Sequence, residues 1–434
     1  MKAIMLRLIG TVLLSLLLVC TTVANDYVPG EMPDHPILFK GGTVYTISNG
    51  ILVNHDVLIN NGLIEAVGEE LTPPENCEII ELHGCNLYPG LISASSNIGL
   101  VEIGAIRATN DTREIGRINP NVKAKVAYNP DSEIIPSVRA NGVTNALVIP
   151  GGSLIRGQSS LMNLDGWTYE ECSIKDPVGM HISWPRASIS TGWWETRSVE
   201  EQKKDMAENR RRLEESFADA RIYYNAVKAG RPVIPDSRWE AMIPIFDGEL
   251  PLFIHAGDYR QIEQAVAFTK QLGLKMVLVG GTDAWQMTDL LVENSIPVII
   301  EGTQKSSPRQ DDPPELSYQI PALLEKAGVE FCIAARGASG TRNLNLQAAE
   351  AIPYGLSPEM AIRSITLAPA EILGVADRLG SIEVGKQATL VVSEGDILDL
   401  LSAKVTMMFI DGRPVDLDNK HKELFRKYSA RKKN

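Results

Sequence analysis

Two histidines stand inside short apolar runs that are typical of buried strands. His181 lies in VGMHISW, residues 178–184, and His255 lies in LPLFIHA, residues 250–256. An imidazole gains or loses its proton close to neutral pH, so it can act as a general acid or base, and it is also a common metal ligand. Inward positions on neighbouring strands would bring the two rings together. Both residues are therefore candidates for catalysis or metal binding, although a satisfied core imidazole is the simpler interpretation of each.

Other polar groups follow further apolar runs, at the position where a barrel enzyme carries its active site. In a metal-free mechanism His255 would remove a proton from water. Asn97, or the backbone amides of Gly280 and Gly281, would then stabilise the oxyanion. Asp283 is a candidate catalytic carboxylate. The same carboxylate could equally cap a loop or pair with a cation.

Four residues near the ends of these runs are candidates for substrate binding: Ser95, Arg107, Glu301 and Arg336. Arg107 belongs to a long polar loop at residues 101–137, and long loops at a barrel mouth often shape the substrate pocket. A guanidinium group can bind a carboxylate or a phosphate. The arginine could equally belong to a solvated surface.

The apolar runs recur in a regular rhythm between residues 89 and 379. Eight strand candidates alternate with helical patterns, such as the one at residues 261–273. This rhythm predicts an α/β fold, a (β/α)₈ TIM-like barrel whose strands are covered on both faces. The third candidate, GQSSLMNL at residues 157–164, is the least regular. Residues 196–230 predict one long charged helix on the outside of the barrel.

Segments rich in β-branched residues flank the barrel. Residues 37–88 and 380–416 contain such runs, separated by Gly, Asn and Pro turns, with a hairpin signal at residues 60–62. We expect the two segments to pair into one small β-sandwich domain. Residues 417–434 form a basic C-terminal tail, which we interpret as a solvated helix or a frayed end.

This layout resembles the amidohydrolase superfamily, and its details are similar to those of the imidazolonepropionase-like members. The resemblance covers residues 37–415 and rests most on PGLI at residues 89–92 and on TLAPAEILGVADRLGSIEVGKQATLVV at residues 366–392. It implies hydrolysis of a non-peptide C–N bond. It also implies one or two divalent metals at the barrel mouth, which activate a bound water.

The resemblance implies a metal ligand set that this chain keeps only in part. Family members carry a His-x-His pair on strand 1, one histidine on each of strands 5 and 6, and an aspartate on strand 8. The matching positions here are Ser95 and Asn97, His255, Gly280, and Arg336 or Gly337. His181 stands where some members have a carboxylated lysine. Serine and asparagine are weak neutral donors, and an arginine repels a dication. We therefore expect one divalent metal, zinc, on His181 and His255, or no metal, and no binuclear centre.

Three interpretations of the function stay open from the sequence. In the first, the chain is a hydrolase of a small-molecule substrate with a degenerate metal site. In the second, it is a catalytically inactive binding protein or the partner subunit of an intact amidohydrolase. In the third, both histidines are core residues without a ligand. A homo-oligomer is compatible with each of them.

The N-terminus and the net charge restrict the location and the partners. Positive residues precede an apolar run at residues 8–19, and small residues follow at 22–24, so residues 1–24 predict a signal peptide and an exported, periplasmic or extracellular protein. Retention of that segment as an anchor stays open, although its apolar run is too short to span a bilayer. The formal net charge of −12 argues against nucleic acid as a partner.

Overall fold

The structure is a computed structural model, and it describes residues 27–307, 309 and 311–431. The predicted signal peptide at residues 1–24 lies outside the described residues. Within them, the strands form two eight-stranded sheets. In this part of the chain no helix combines the length and the apolar character that a membrane crossing requires.

In chain order the strands are β1 (Ile37–Tyr45), β2 (Ile51–Asn60), β3 (Leu63–Gly68), β4 (Glu78–Glu81), β5 (Asn86–Pro89), β6 (Leu91–Ser96), β7 (Val143–Val148), β8 (Ile155–Asn163), β9 (Ser173–Ser183), β10 (Leu252–Ala256), β11 (Met276–Gly280), β12 (Val298–Glu301), β13 (Phe331–Ala334), β14 (Leu390–Glu394), β15 (Lys404–Ile410) and β16 (Arg413–Pro414).

The α-helices are Ile134–Arg139, Tyr169–Cys172, Val199–Lys228, Ser237–Glu240, Ile243–Phe246, Tyr259–Leu272, Thr288–Glu293, Leu316–Ala327, Ala338–Arg342, Leu344–Ala349, Pro358–Arg363, Leu367–Ile372 and Lys420–Ala430. Short 3₁₀ turns cover Arg107–Thr109, Ala124–Ala127, Ala284–Gln286 and Ile352–Tyr354.

The first sheet joins the two segments that flank the barrel. Its strand order is β16-β15-β14-β5-β1-β2-β3, and β4 pairs with β1. The two segments meet where β14 runs antiparallel to β5, with Val392 opposite Leu87. The hairpin predicted at residues 60–62 is present, and Asn61 and Gly62 turn it with positive φ angles of 50° and 80°. The pairing of the two segments is thus confirmed, while their arrangement as a sandwich and the domain boundaries stay predictions.

The second sheet forms the barrel wall. Its eight strands follow one another in chain order from β6 to β13, and β13 returns to contact β6. This nearly closed ring confirms the expected TIM-like barrel. The long charged helix is also present as Val199–Lys228, where Ser198 and Glu201 form a capping box at its N-terminus.

The third strand of the barrel departs from the (β/α)₈ pattern. β8 runs antiparallel to both β7 and β9. Only residues 149–154 connect β7 to β8, and a parallel crossover needs a dozen residues or more, so the chain has to turn back directly. The predicted regular alternation of strands and helices is therefore wrong at this place. As a consequence, β8 begins at the mouth of the barrel, where the other barrel strands end.

Alternation along the strands separates an inner core from an outer layer. On β9, Met180 and Ile182 pack under the helices, in the same cluster as Phe217 of the long helix. His181 points the other way and lies against Phe253 of β10, with 4.9 Å between the ring centroids. Phe253 belongs to the interior cluster of the barrel. Thus His181 faces the barrel interior, as the two-residue period of a strand requires.

Candidate functional site

His181 and His255 meet at the mouth of the barrel. The neighbouring strands β9 and β10 carry them, and His255 pairs in register with Ser183. The Nδ1 atom of His181 lies 2.9 Å from the Nε2 atom of His255, so the two rings share a hydrogen bond. His181 is fully buried, and its Nε2 atom has no hydrogen-bond partner among the described residues. His255 is half-buried.

Both imidazoles are neutral near pH 7. Burial is the largest cause, and it lowers the pKa of each ring well below the ordinary value. The positive charge of Arg156 lowers the pKa of both rings further, and the charge of Arg336 acts in the same direction. If His181 donates the shared hydrogen bond, its Nε2 atom keeps a lone pair; if His255 donates, its own Nδ1 atom keeps one. In either case the pair retains one basic nitrogen.

Arg156, the second residue of β8, also belongs to the site, although the sequence did not indicate it. Its Nε atom donates to the hydroxyl of Ser183 at 2.7 Å, and Ser183 lies beside His255. Burial and then the charge of Arg336 lower the pKa of Arg156 to about 10, while the carboxylate of Glu301 acts in the opposite direction. The guanidinium therefore stays charged at neutral pH.

Ser95 and Glu301, which we predicted separately as substrate-binding residues, are directly joined. The register of β6 against β7 shifts between Ser93 and Ser96, where β6 has one extra residue. Such a bulge re-aims a side chain. The hydroxyl of Ser95 donates to Oε1 of Glu301, the last residue of β12, at 2.6 Å. The carboxylate thus has a fixed partner at the mouth.

The predicted catalytic residue Asp283 is engaged in other contacts. It is fully buried, and its Oδ1 atom accepts from Nη1 of Arg309 at 2.9 Å. Its Oδ2 atom accepts from Nη2 of Arg309 and from the backbone amide of Tyr259. Both carboxylate oxygens are therefore occupied by contacts within the fold. This geometry supports an anchoring role for Asp283, which joins the loop after β12 to the helix Tyr259–Leu272.

The remaining predicted residues follow three different strands: Asn97 and Arg107 follow β6, Gly281 follows β11, and the exposed Arg336 follows β13. Asn97 directly follows β6 and is half-buried. Arg107 is exposed, and its Nη1 atom donates to the backbone carbonyl of Asn110 at 2.8 Å. The backbone amide of Gly281, a predicted oxyanion donor, donates to the carbonyl of Ala256 at 2.9 Å. That amide is therefore already used by the fold.

The donor set does not fit a catalytic metal. A catalytic zinc site usually has three protein ligands, and the described residues contain no group of three or more His, Cys, Asp or Glu side chains that could hold a metal ion. The facing nitrogens of His181 and His255 are joined by a hydrogen bond. The guanidinium groups of Arg156 and Arg336 would repel a dication.

Comparison with known proteins agrees with this architecture. The model of the amidohydrolase family matches residues 315–415. The crystal structure of an amidohydrolase from Thermotoga maritima MSB8 is 30% identical in sequence, with a TM-score of 0.78, and the match covers 88% of this chain and 99% of that chain.

Curated relatives match over smaller parts of their length. Amidohydrolase tasK of Hapsidospora irregularis is 24% identical over 424 residues, which is 84% of this chain and 41% of that protein. A D-phenylhydantoinase of Escherichia coli O1:K1 is 31% identical over 71 residues, 15% of each protein. The chain therefore spans less than half of the length of these curated relatives.

Proposed function

The chain belongs to the amidohydrolase family, and from that premise we propose that it hydrolyses a non-peptide C–N bond of a small molecule without a bound metal. The observation that carries the proposal is the neutral, hydrogen-bonded pair of His181 and His255 at the barrel mouth. A neutral imidazole can take a proton from water, which the metal would otherwise activate.

In this mechanism the histidine pair is the general base. Water attacks the carbonyl carbon of the substrate and gives its proton to the free nitrogen of the pair, while the carbonyl electrons move to oxygen. The side-chain amide of Asn97, which follows β6, would donate to this oxyanion. When the intermediate collapses, the C–N bond breaks and the imidazolium returns its proton to the leaving nitrogen. The low pKa of the pair favours this return.

The test is hydrolysis of a panel of N-acyl amines and cyclic amides before and after dialysis against a chelator. We expect activity to survive the chelator and to fall at least ~100-fold in His255→Gln and in His181→Gln, as for loss of a general base. His35→Gln is the matched control, because His35 contacts Asp34 and Glu78 outside the barrel. Activity that is lost with the chelator and restored by one zinc per chain would support the single-zinc site instead.

A second candidate function is a catalytically inactive binding protein or a partner subunit of an intact amidohydrolase. The incomplete donor set and the pairing of Asp283 with Arg309 favour it. A folded wild-type chain that hydrolyses nothing in the panel, but that raises the activity of an intact relative when mixed with it, would support this candidate over the hydrolase.

We further propose that the protein is exported and that residues 1–24 are removed. Mass spectrometry of the mature N-terminus tests this directly: a chain that begins at Asn25 supports cleavage, and a chain that begins at Met1 contradicts it. Light scattering of the same sample tests whether the protein forms a homo-oligomer.

A further inference from the structure

Arg156 is held in a fixed position at the barrel mouth. Because β8 runs antiparallel to its neighbours, its first residues lie where the other barrel strands end. The Nε atom of Arg156 donates to the Ser183 hydroxyl at 2.7 Å, and Ser183 pairs in register with His255. One nitrogen of the guanidinium is thus used to orient the group beside the histidine pair.

The same guanidinium also has a donor that the fold does not satisfy. The Nη1 atom of Arg156 is buried and has no hydrogen-bond partner in the described part of the chain. The Nε2 atom of the fully buried His181 is in the same situation. Buried polar groups are nearly always paired in native proteins, and a charged donor without an acceptor is especially unfavourable. An anionic ligand bound at this site would supply the acceptor that Arg156 lacks.

The charges around this site favour an anion with one negative charge. Arg336 lies two residues after the end of β13, at the same mouth of the barrel, and its positive charge acts on Arg156 and on both histidines. The histidines themselves are neutral. Glu301 opposes part of this positive charge, so a dianion would be disfavoured. A guanidinium and a carboxylate match in shape and can form two parallel hydrogen bonds.

We propose that Arg156 and Arg336 form a subsite for the carboxylate of an anionic substrate, beside the histidine pair. This subsite would define the substrate class of the proposed hydrolase, and it rests on that proposed function for the identity of the bond that is hydrolysed.

The test compares two probes that differ only in charge, N-acetylglycine and its neutral amide N-acetylglycinamide. Calorimetric titration of the full-length protein should show at least ~10-fold tighter binding of the carboxylate, as one charge-assisted contact provides. Arg156→Gln should remove this preference, and Arg156→Lys should restore part of it. Arg260→Gln is the matched control, because Arg260 is exposed and contacts Tyr259.

Arg336→Gln provides a second variant if Arg156→Gln does not fold, because Arg336 is exposed and its loss leaves the buried core intact. It should reduce the preference several-fold. Equal affinity of the wild type for both probes, or an unchanged preference in both variants, would overturn the subsite.

The two proposals fail in different ways. His255→Gln should lose hydrolysis but keep the preference for N-acetylglycine, because the carboxylate contacts the arginines. A preference for the carboxylate in a protein that hydrolyses nothing supports the subsite and removes the hydrolase. Hydrolysis of neutral substrates without any preference for the carboxylate overturns the subsite and leaves the hydrolase standing.

Discussion

The Nδ1 atom of His181 lies 2.9 Å from the Nε2 atom of His255, across the neighbouring strands β9 and β10. Two imidazoles that bind one metal direct their nitrogens at the cation, whereas these two direct them at each other. The adjacent guanidinium of Arg156 adds a fixed positive charge. The contact between the two imidazoles and the nearby positive charge therefore favour acid–base chemistry and anion binding at the barrel mouth over metal coordination.

The histidine pair should make the protein less stable in mild acid. The pKa of both rings is lowered from 6.5 in the folded state, so below about pH 6.5 the unfolded chain binds more protons than the folded one. The free energy of unfolding should then fall with decreasing pH by up to ~1.4 kcal/mol per unit for each histidine. Urea unfolding at pH 7.5, 6.5 and 5.5 measures this.

The control for that experiment is the double variant His181→Asn and His255→Asn. It should lose clearly less stability than the wild type between pH 6.5 and 5.5. Carboxylates such as Glu195 and Glu383, whose pKa is lowered from 4.5 to about 2, lose their contribution at lower pH. Equal losses in the two proteins over this window would show that the histidines do not resist protonation.

Glu301→Gln should strengthen binding of N-acetylglycine several-fold, because it removes the negative charge that opposes an anion beside Arg156. Ser95→Ala is the matched variant: it deletes the hydroxyl that donates to Glu301 but keeps the carboxylate charge. Calorimetry should therefore show a gain in Glu301→Gln only. Weaker binding in Glu301→Gln would mean that this carboxylate helps to hold the ligand.

A buried ion pair lies away from the histidine pair, and the loss of one partner should destabilise the fold. Arg139 and Asp165 are both fully buried, and Nη1 of Arg139 lies 3.0 Å from Oδ1 of Asp165. Asp165→Asn leaves the guanidinium charge without its partner and should lower the free energy of unfolding by ~3–5 kcal/mol. Urea titration measures the loss. Glu215→Gln, which breaks an exposed pair with Arg211, should cost no more than ~0.5 kcal/mol, and a similar cost for Asp165→Asn would contradict the account.

Gly179 on β9 is needed for the position of His181. A Cβ atom at Gly179 would clash with the ring of Phe253, which packs against His181. Gly179→Ala should therefore cost ~1–3 kcal/mol of stability as an overpacked core does, and it should lower hydrolysis as well. Gly104→Ala is the control, since a Cβ there meets nothing within 4 Å. The melting temperature and the rate of hydrolysis are measured for both variants. Equal values in Gly179→Ala and Gly104→Ala would show that Gly179 is not needed for the position of His181.

The alternation along β9 could be predicted from the sequence because it is local, whereas the face of the strand that lines the barrel interior could not. Along β9 the larger apolar residues occupy one face and His181 the other, and a residue period of two is enough to separate them. The pairing of the flanking segments is predicted by their β-branched runs and by their places before and after the barrel. These features depend on patterns within single strands and on the order of the strands.

Arg156 could not be predicted in the same way because its place depends on the direction of β8. In a parallel barrel the functional residues lie at the C-terminal ends of the strands. Arg156 lies instead near the N-terminal end of β8. A charged residue inside the apolar run around Ile155 was the available signal. Similarly, the direction of the Ser95 side chain depends on a bulge in β6. The ion pair that occupies Asp283 depends on Arg309, which lies in a distant loop. Sequence periodicity carries none of this information.

Acid–base chemistry and metal binding by the histidine pair are best distinguished by the ¹⁵N spectrum of the imidazoles at pH 7 with one equivalent of zinc, in protein labelled at its six histidines. We expect His181 and His255, assigned through single Asn variants, each to show one protonated and one bare nitrogen, and zinc to leave both unchanged. Stoichiometric zinc shifts in both rings, or an imidazolium at either position, would contradict it.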